Sequence, residues 1–352
     1  MRINIALFDK DKNYSTRLLK SFQDKYVKEI SISVFSDEKL FVSELSSQHF
    51  DMVVIDQEYI HLRNHVPDRA VLAVLTKDNY IEEFEQIPAI GKYQKVETLY
   101  KRFIGIFADN SVGIKVRGSG AKANIILFTS AQGGSGTSSL AAAYAVNQAE
   151  KGKSVFFLNL ETFGSSNSYF QGEGQGSFSD IIYALKSNNI NLTMKLMSTI
   201  KRDASGVEFI DECRNAYDML ELKDQEIDAL IEAISSVKEY DVVIIDYSGV
   251  SSERQIFLMK TYADSIVYVN DGSEIGNTKF TRFCEVIAVV EKMENKALLS
   301  KMALVYNRFS SQTGRQLQTI PIARLGGIHR IEGITGRELV EELSRQEVMA
   351  DI

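Results

Sequence analysis

The chain has 352 residues, with 40 lysines and arginines against 47 aspartates and glutamates, for a net charge of −7. Apolar residues make up 44% and charged residues 25%, a soluble, globular composition in a chain too long for one ordinary core. The acidic balance excludes a surface given over wholly to nucleic acid, and no apolar run approaches the roughly 18 residues of a membrane span.

The opening "MRINIALFDKDK" does not read as a signal peptide, because Asp9 cuts its apolar run short. Short apolar stretches at 3–8, 30–35, 51–56, 70–76 and 87–92 predict five strands. Helical periodicity at 14–26 and 38–48 separates the first of them. That alternation predicts a parallel sheet with helices on both faces. Ligand sites in such sheets lie at the carboxyl ends of the strands. Asp9, Asp11, Asp56, Thr76 and Lys92 follow strand ends here and are predicted to converge on one edge.

Residues 108–122, "ADNSVGIKVRGSGAK", hold three glycines and two serines with almost no apolar periodicity, and predict a linker. The predicted domains are therefore 1–107 and 123–352, joined by 108–122. The second repeats the grammar of the first, with buried strands expected at 124–130, 154–160, 241–247, 264–271 and 302–308. The fold class is α/β, with two doubly wound parallel-sheet domains.

The segment "FTSAQGGSGTSS" carries the second domain's chemistry. It follows a predicted strand and opens a helix rich in alanine. Gly133, Gly134 and Gly136 stand where a phosphate-cradling P-loop, G-x-x-x-x-G-K-[ST], needs backbone N–H groups close to the ligand. Ser135 and Ser139 complete the loop and the first helical turn. Ser138 occupies the position of the hydroxyl that binds Mg²⁺, and Thr137 that of the lysine. "YDVVIID" ends a later strand in Asp246, an acid suited to the same Mg²⁺.

These motifs resemble two families. The first domain is similar to response-regulator receivers, which implies Asp56 as phospho-acceptor, with Thr76 and Lys92 on the phosphoryl group. Lys10 stands where that family has its second metal-binding acid, which implies a receiver-shaped docking module that is not phosphorylated. Residues 123–352 resemble the ParA/MinD ATPases, whose loop reads K-G-G-x-G-K-T-T. Gln132 replaces the lysine that reaches a partner's nucleotide, and Glu161 falls at the acid that orients the attacking water. The resemblance implies Asn307 and Arg308 beside adenine, with Ile320, Pro321 and Ile322 packed on the base. With both loop lysines replaced, it implies that ATP and Mg²⁺ bind and that hydrolysis is slow or absent.

The two-domain order resembles the TadZ/CpaE proteins of the tight-adherence (Flp) pilus system. That resemblance implies a cytoplasmic homodimer, at a cell pole, that recruits pilus or secretion assembly proteins such as the pilus ATPase or a polar anchor. The alternatives are an active ParA/MinD-like positioning ATPase and a response regulator whose output is an ATP-controlled dimer. Six basic residues and one acid in 301–337 allow a local basic face, yet specific nucleic-acid binding is not expected. The tail "TGRELVEELSRQEVMADI", with five acids and two arginines, disfavours membrane insertion or an anionic membrane surface. Cys213 and Cys284 form no CxxC pattern and read as thiols of a reducing compartment.

Overall fold

The computed structural model describes residues 2–110, 123–187, 191–248, 252–310, 312 and 314–352. The chain forms two compact units, Met1–Arg117 with Ala184–Thr199, and Gly118–Tyr183 with Ile200–Ile352. The linker expected at 108–122 overlaps a helix up to Asn110, and its remaining residues lie outside the described ones.

The first unit begins with β1 (Ile3–Phe8), α1 (Lys12–Lys25), β2 (Ile30–Phe35), α2 (Glu38–Ser47) and β3 (Met52–Asp56). A 3-10 segment at Gln57–His65 follows, then β4 (Val71–Thr76), β5 (Glu83–Phe84), β6 (Ile87–Gly91) and α3 (Val96–Asn110). The strand order is β2-β1-β3-β4-β6-β5, parallel except for the β5–β6 hairpin. Every residue of β3 is buried, as a two-sided parallel strand requires. One apolar layer joins the sheet to Leu18 and Phe22 of α1 and to Phe103 and Phe107 of α3. The opposite layer packs Phe41 and Leu45 of α2.

The second unit starts with β7 (Asn124–Thr129), α4 (Thr137–Glu150), β8 (Val155–Asn159) and α5 (Phe178–Lys186). The next helix, α6 (Leu192–Thr199), belongs to the first unit. Met194 joins that unit's core, and Lys195 Nζ contacts both carboxylate oxygens of Asp109, at 2.7 and 2.9 Å.

The second unit continues with β9 (Lys201–Arg202), β10 (Glu208–Phe209), α7 (Tyr217–Glu221), α8 (Asp224–Val237) and β11 (Val242–Asp246). Then come α9 (Ser252–Thr261), β12 (Ser265–Asn270), α10 (Glu274–Glu294), β13 (Met302–Phe309), β14 (Ala323–His329), α11 (Gly336–Ser344) and α12 (Val348–Asp351). The eight strands run β14-β13-β12-β7-β11-β8-β10-β9, and only β9–β10 is antiparallel. Leu140 to Val146 of α4 are all buried, between the sheet and α11, and four alanines among them allow close packing. β7 leads through α4 to β8 on one side, while β12, β13 and β14 continue on the other. The switch point lies beside β7, so its carboxyl end is where a doubly wound sheet binds its ligand. No helix among the described residues is long and apolar enough to cross a membrane.

Candidate functional site

In the first unit, β1 and β3 are neighbours, so Asp9 and Asp56 emerge side by side. Lys92, just after β6, reaches between them: its Nζ lies 2.8 Å from Asp9 Oδ2 and hydrogen-bonds Asp56 Oδ2. All three side chains are at most 4% exposed. Burial works against the ammonium, but its bonds to Asp56 and Asp9 prevail and raise its pKa above the ordinary lysine value. Asp56 Oδ1 accepts from Glu58 N at 2.9 Å, and Asp9 Oδ1 from Asp11 N at 2.9 Å.

Two residues predicted to converge here are engaged elsewhere. Asp11 caps α1, accepting from Asn13 N at 3.1 Å and Tyr14 N at 3.0 Å. Thr76 is buried and donates to the carbonyl of Asp78 at 2.8 Å. Lys10 turns to Glu38, 3.0 Å away, and covers the Tyr59 ring. The carboxylates are thus neutralised from within by one buried lysine.

In the second unit, the loop after β7 is pinned at several points. Ala131 N donates to the Tyr268 hydroxyl at 3.0 Å and Gln132 N to Ser130 Oγ at 3.1 Å. Gly134 and Gly136 have φ of 76° and 80°, in the left-handed region that glycine adopts without strain. Gly136 is also the N-cap of α4, and a Cβ there would collide with Asn307 Nδ2. The loop therefore turns through left-handed glycines directly into the N-terminus of α4, an end of a helix that favours anions.

Its neutral positions bond within the chain. Gln132 Nε2 donates to Asp271 Oδ2 at 2.7 Å, and its Oε1 is buried with no hydrogen-bond partner. A side chain on Gly276 would fill the space that Gln132 occupies. Gln132 is thus folded onto its own chain. Thr137 Oγ1 is buried and shares a 2.9 Å hydrogen bond with Ser135 Oγ.

Ser138, Glu161 and Asp246 come together beside the cradle. Ser138 Oγ donates to Glu161 Oε2 at 3.2 Å, and the Ser248 hydroxyl donates to Glu161 Oε1. Asp246 is fully buried; Asn159 Nδ2 lies 3.4 Å from its Oδ2, and its Oδ1 has no hydrogen-bond partner. Burial, and then the charge of Glu161, push its carboxyl well above the usual carboxylate range, which the Ser138 hydroxyl offsets in part. An orphaned carboxylate oxygen and a nearby hydroxyl fit a hard divalent cation. Among the described residues, no group of three or more His, Cys, Asp or Glu could hold a metal. A cation at Ser138 and Asp246 would therefore complete its shell with phosphate and water.

A cleft of about 270 Å³ opens next to the cradle, lined by Gly136, Ser139, Asn307, Arg308, the loop from His329 to Thr335, Leu339 and Leu343. Asn307 Nδ2 donates to the Ser135 carbonyl at 2.8 Å and Arg308 Nη1 to that of Gly134 at 2.9 Å. The pair grips the loop. The expectation that Pro321 and Ile322 pack on a base is corrected. They precede β14, at the sheet's opposite end, roughly 20 Å from its carboxyl edge at about 3.3 Å per residue. The segment beyond that edge, from His329 onward, lines the cleft instead. Tyr169, whose hydroxyl bonds Ser139, was also absent from the sequence reading. The two thiols are free, and burial pushes both up to about 11.

Residues 1–108 match the family described as "TadZ-like, receiver domain". A search of curated proteins finds no match. Similar solved structures include a ParA family ATPase from Chlorobium tepidum, 16% identical, covering 65% of this chain and 92% of that one, with a TM-score of 0.50. The cell division ATPase MinD of Pyrococcus furiosus is 16% identical over 65% of this chain and 99% of that one, with a TM-score of 0.48. A putative plasmid partition protein from Borrelia burgdorferi, bound to AMPPNP, is 17% identical over 65% and 95%, with a TM-score of 0.44. At such identities the likeness shows fold alone. Residues 1–108 are therefore similar to the TadZ-like receiver domain, and they precede a domain with the fold seen in a ParA family ATPase.

Proposed function

We propose that this chain is a positioning protein that binds Mg²⁺·ATP in its second domain, with little or no hydrolysis, and uses the nucleotide to hold a homodimer. One observation carries the reading. A loop with left-handed glycines leads into the α4 N-terminus beside a buried Asp246 whose Oδ1 has no hydrogen-bond partner, while Gln132 and Thr137, at the two lysine positions, are neutral and bonded within the chain. The cradle's N–H groups and the α4 terminus would hold the phosphates, and Ser138 and Asp246 would hold Mg²⁺. Mg²⁺ when bound neutralises phosphate charge. Glu161 is the remaining candidate to orient water; its two oxygens accept from Ser138 and Ser248. Lacking both lysines, the site loses charge where transfer needs it most.

The first domain serves in this reading as a docking module that is not phosphorylated. Lys92 between Asp9 and Asp56 supports that role, because a cation would have to displace a buried ammonium. The TadZ-like match supports recruitment of pilus or secretion assembly proteins, in the cytoplasm and at a cell pole. Calorimetry with Mg²⁺·ATP, phosphate release and light scattering on one preparation test the proposal. Binding without release, in a dimer, is expected. Turnover at ordinary ATPase rates favours the positioning-ATPase alternative.

A further inference from the structure

We infer that Arg308 supplies the phosphate-neutralising cation of this P-loop, in place of the missing lysines. The inference rests on the nucleotide-binding reading and assigns a charge to it. Arg308 sits in β13, where the ladder to β14 shifts register between Tyr306 and Phe309. Bulges of this kind re-aim side chains next to functional sites. Here the irregularity turns Asn307 onto the Ser135 carbonyl and Arg308 onto that of Gly134. Arg308 has a φ of 56°, a left-handed conformation that an arginine adopts only at a strain. The register shift admits one left-handed residue, and here that residue carries a side chain that reaches the loop.

What it reaches is the cradle. Its Nε lies 3.6 Å from where a Cβ of Gly136 would stand, and Gly136 caps the N-terminus of α4. One Nη is bonded to the loop, so the planar group is held in place with donors left over. Arg308 is exposed at the cleft wall, and the acid that lines the same cleft, Glu332, pairs with Arg330 at 3.8 Å. An oriented, uncompensated guanidinium against a helix N-terminus is suited to phosphate oxygens. It comes from the far side of the loop in sequence, so a search confined to the loop's own two lysine positions misses it.

The test is the affinity of the full chain for Mg²⁺·ATP across a range of salt concentrations. It compares wild type with Arg308→Ala, Arg308→Lys and Arg308→Gly; the glycine variant removes the charge yet accepts the positive φ, which guards against misfolding. The expected result is at least about a tenfold loss for the alanine and glycine variants, with a shallower salt dependence, and partial recovery in the lysine variant. Affinity within twofold of wild type in the glycine variant overturns the inference. So does a loss with unchanged salt dependence, which makes Arg308 a strut or a flank for the base. A wild type that does not bind Mg²⁺·ATP at all fails the nucleotide reading itself, and the inference with it.

Discussion

The two units treat buried acids in opposite ways. In the first, Asp9 and Asp56 share Lys92, and the charges close on one another out of water. In the second, Asp246 and Glu161 lie close together, no lysine or arginine among the described residues pairs with them, and Asp246 Oδ1 is left without a partner. Both sites stand at the carboxyl ends of central strands in sheets of the same kind. The difference lies in compensation. A closed triad is part of a core, whereas the open pair of acids beside the glycine loop is what the proposed function assigns to a cation and its phosphates.

The largest effect should come from breaking the closed site. Lys92→Met leaves two carboxylates buried and unpaired, and should destabilise the first unit by about 3–5 kcal/mol in a denaturant titration. A shift under 1 kcal/mol would mean that the acids are solvated and the site is open after all.

The open site should respond in the other direction. The Asp246 carboxyl is raised in the folded chain above its ordinary 3.8, so the fold binds the proton more tightly than the unfolded chain does. Its contribution is fully present below that ordinary value and is lost as pH rises through the raised one. Asp246→Asn should therefore raise the neutral-pH unfolding free energy of the nucleotide-free protein, by about 1–2 kcal/mol, and flatten its decline above pH 4. The same variant should lose Mg²⁺-dependent ATP binding. A less stable asparagine variant at neutral pH would contradict the assignment.

Restoring lysines separates the two neutral positions. Thr137→Lys should strengthen ATP binding by up to about tenfold, because it stands at the helix N-terminus that faces the phosphates. Gln132→Lys should change affinity by less than about threefold, since Asp271 is positioned to capture the new ammonium. Calorimetry on both variants checks the contrast, and equal gains would show that Gln132 is free to leave Asp271. The smallest effect is expected at Asp56. Treatment with a small-molecule phosphodonor and Mg²⁺ should leave it unlabelled by intact-mass spectrometry, and stable phosphorylation there would reopen the response-regulator reading.

Much of this contrast was legible in the sequence. The five parallel strands of the first sheet and the main strands of the second are continuous apolar runs, which two-sided burial demands, and the strand-end residues followed directly. The left-handed glycines of the loop were legible for the same reason, since only particular backbone shapes need them. Partners far apart in sequence were not. Gln132 bonds Asp271, 139 positions on, and nothing local marks the pair. Asp11 and Thr76 were placed on the correct edge, but capping and a turn took their side chains. β14 was missed as the cleft's support because "ARLGGIH" is an edge strand with little apolar character, and "IPI" just before it drew the base-packing assignment. Helix α6 joins the first unit although its sequence lies in the second, because its apolar face meets α3.

The measurement that bears most directly on the account is calorimetric titration of the full chain with Mg²⁺·ATP, followed by phosphate release from the same sample. The account predicts saturable binding that requires Mg²⁺, with no release beyond a slow background. Absence of binding, or turnover at ordinary ATPase rates, would contradict it.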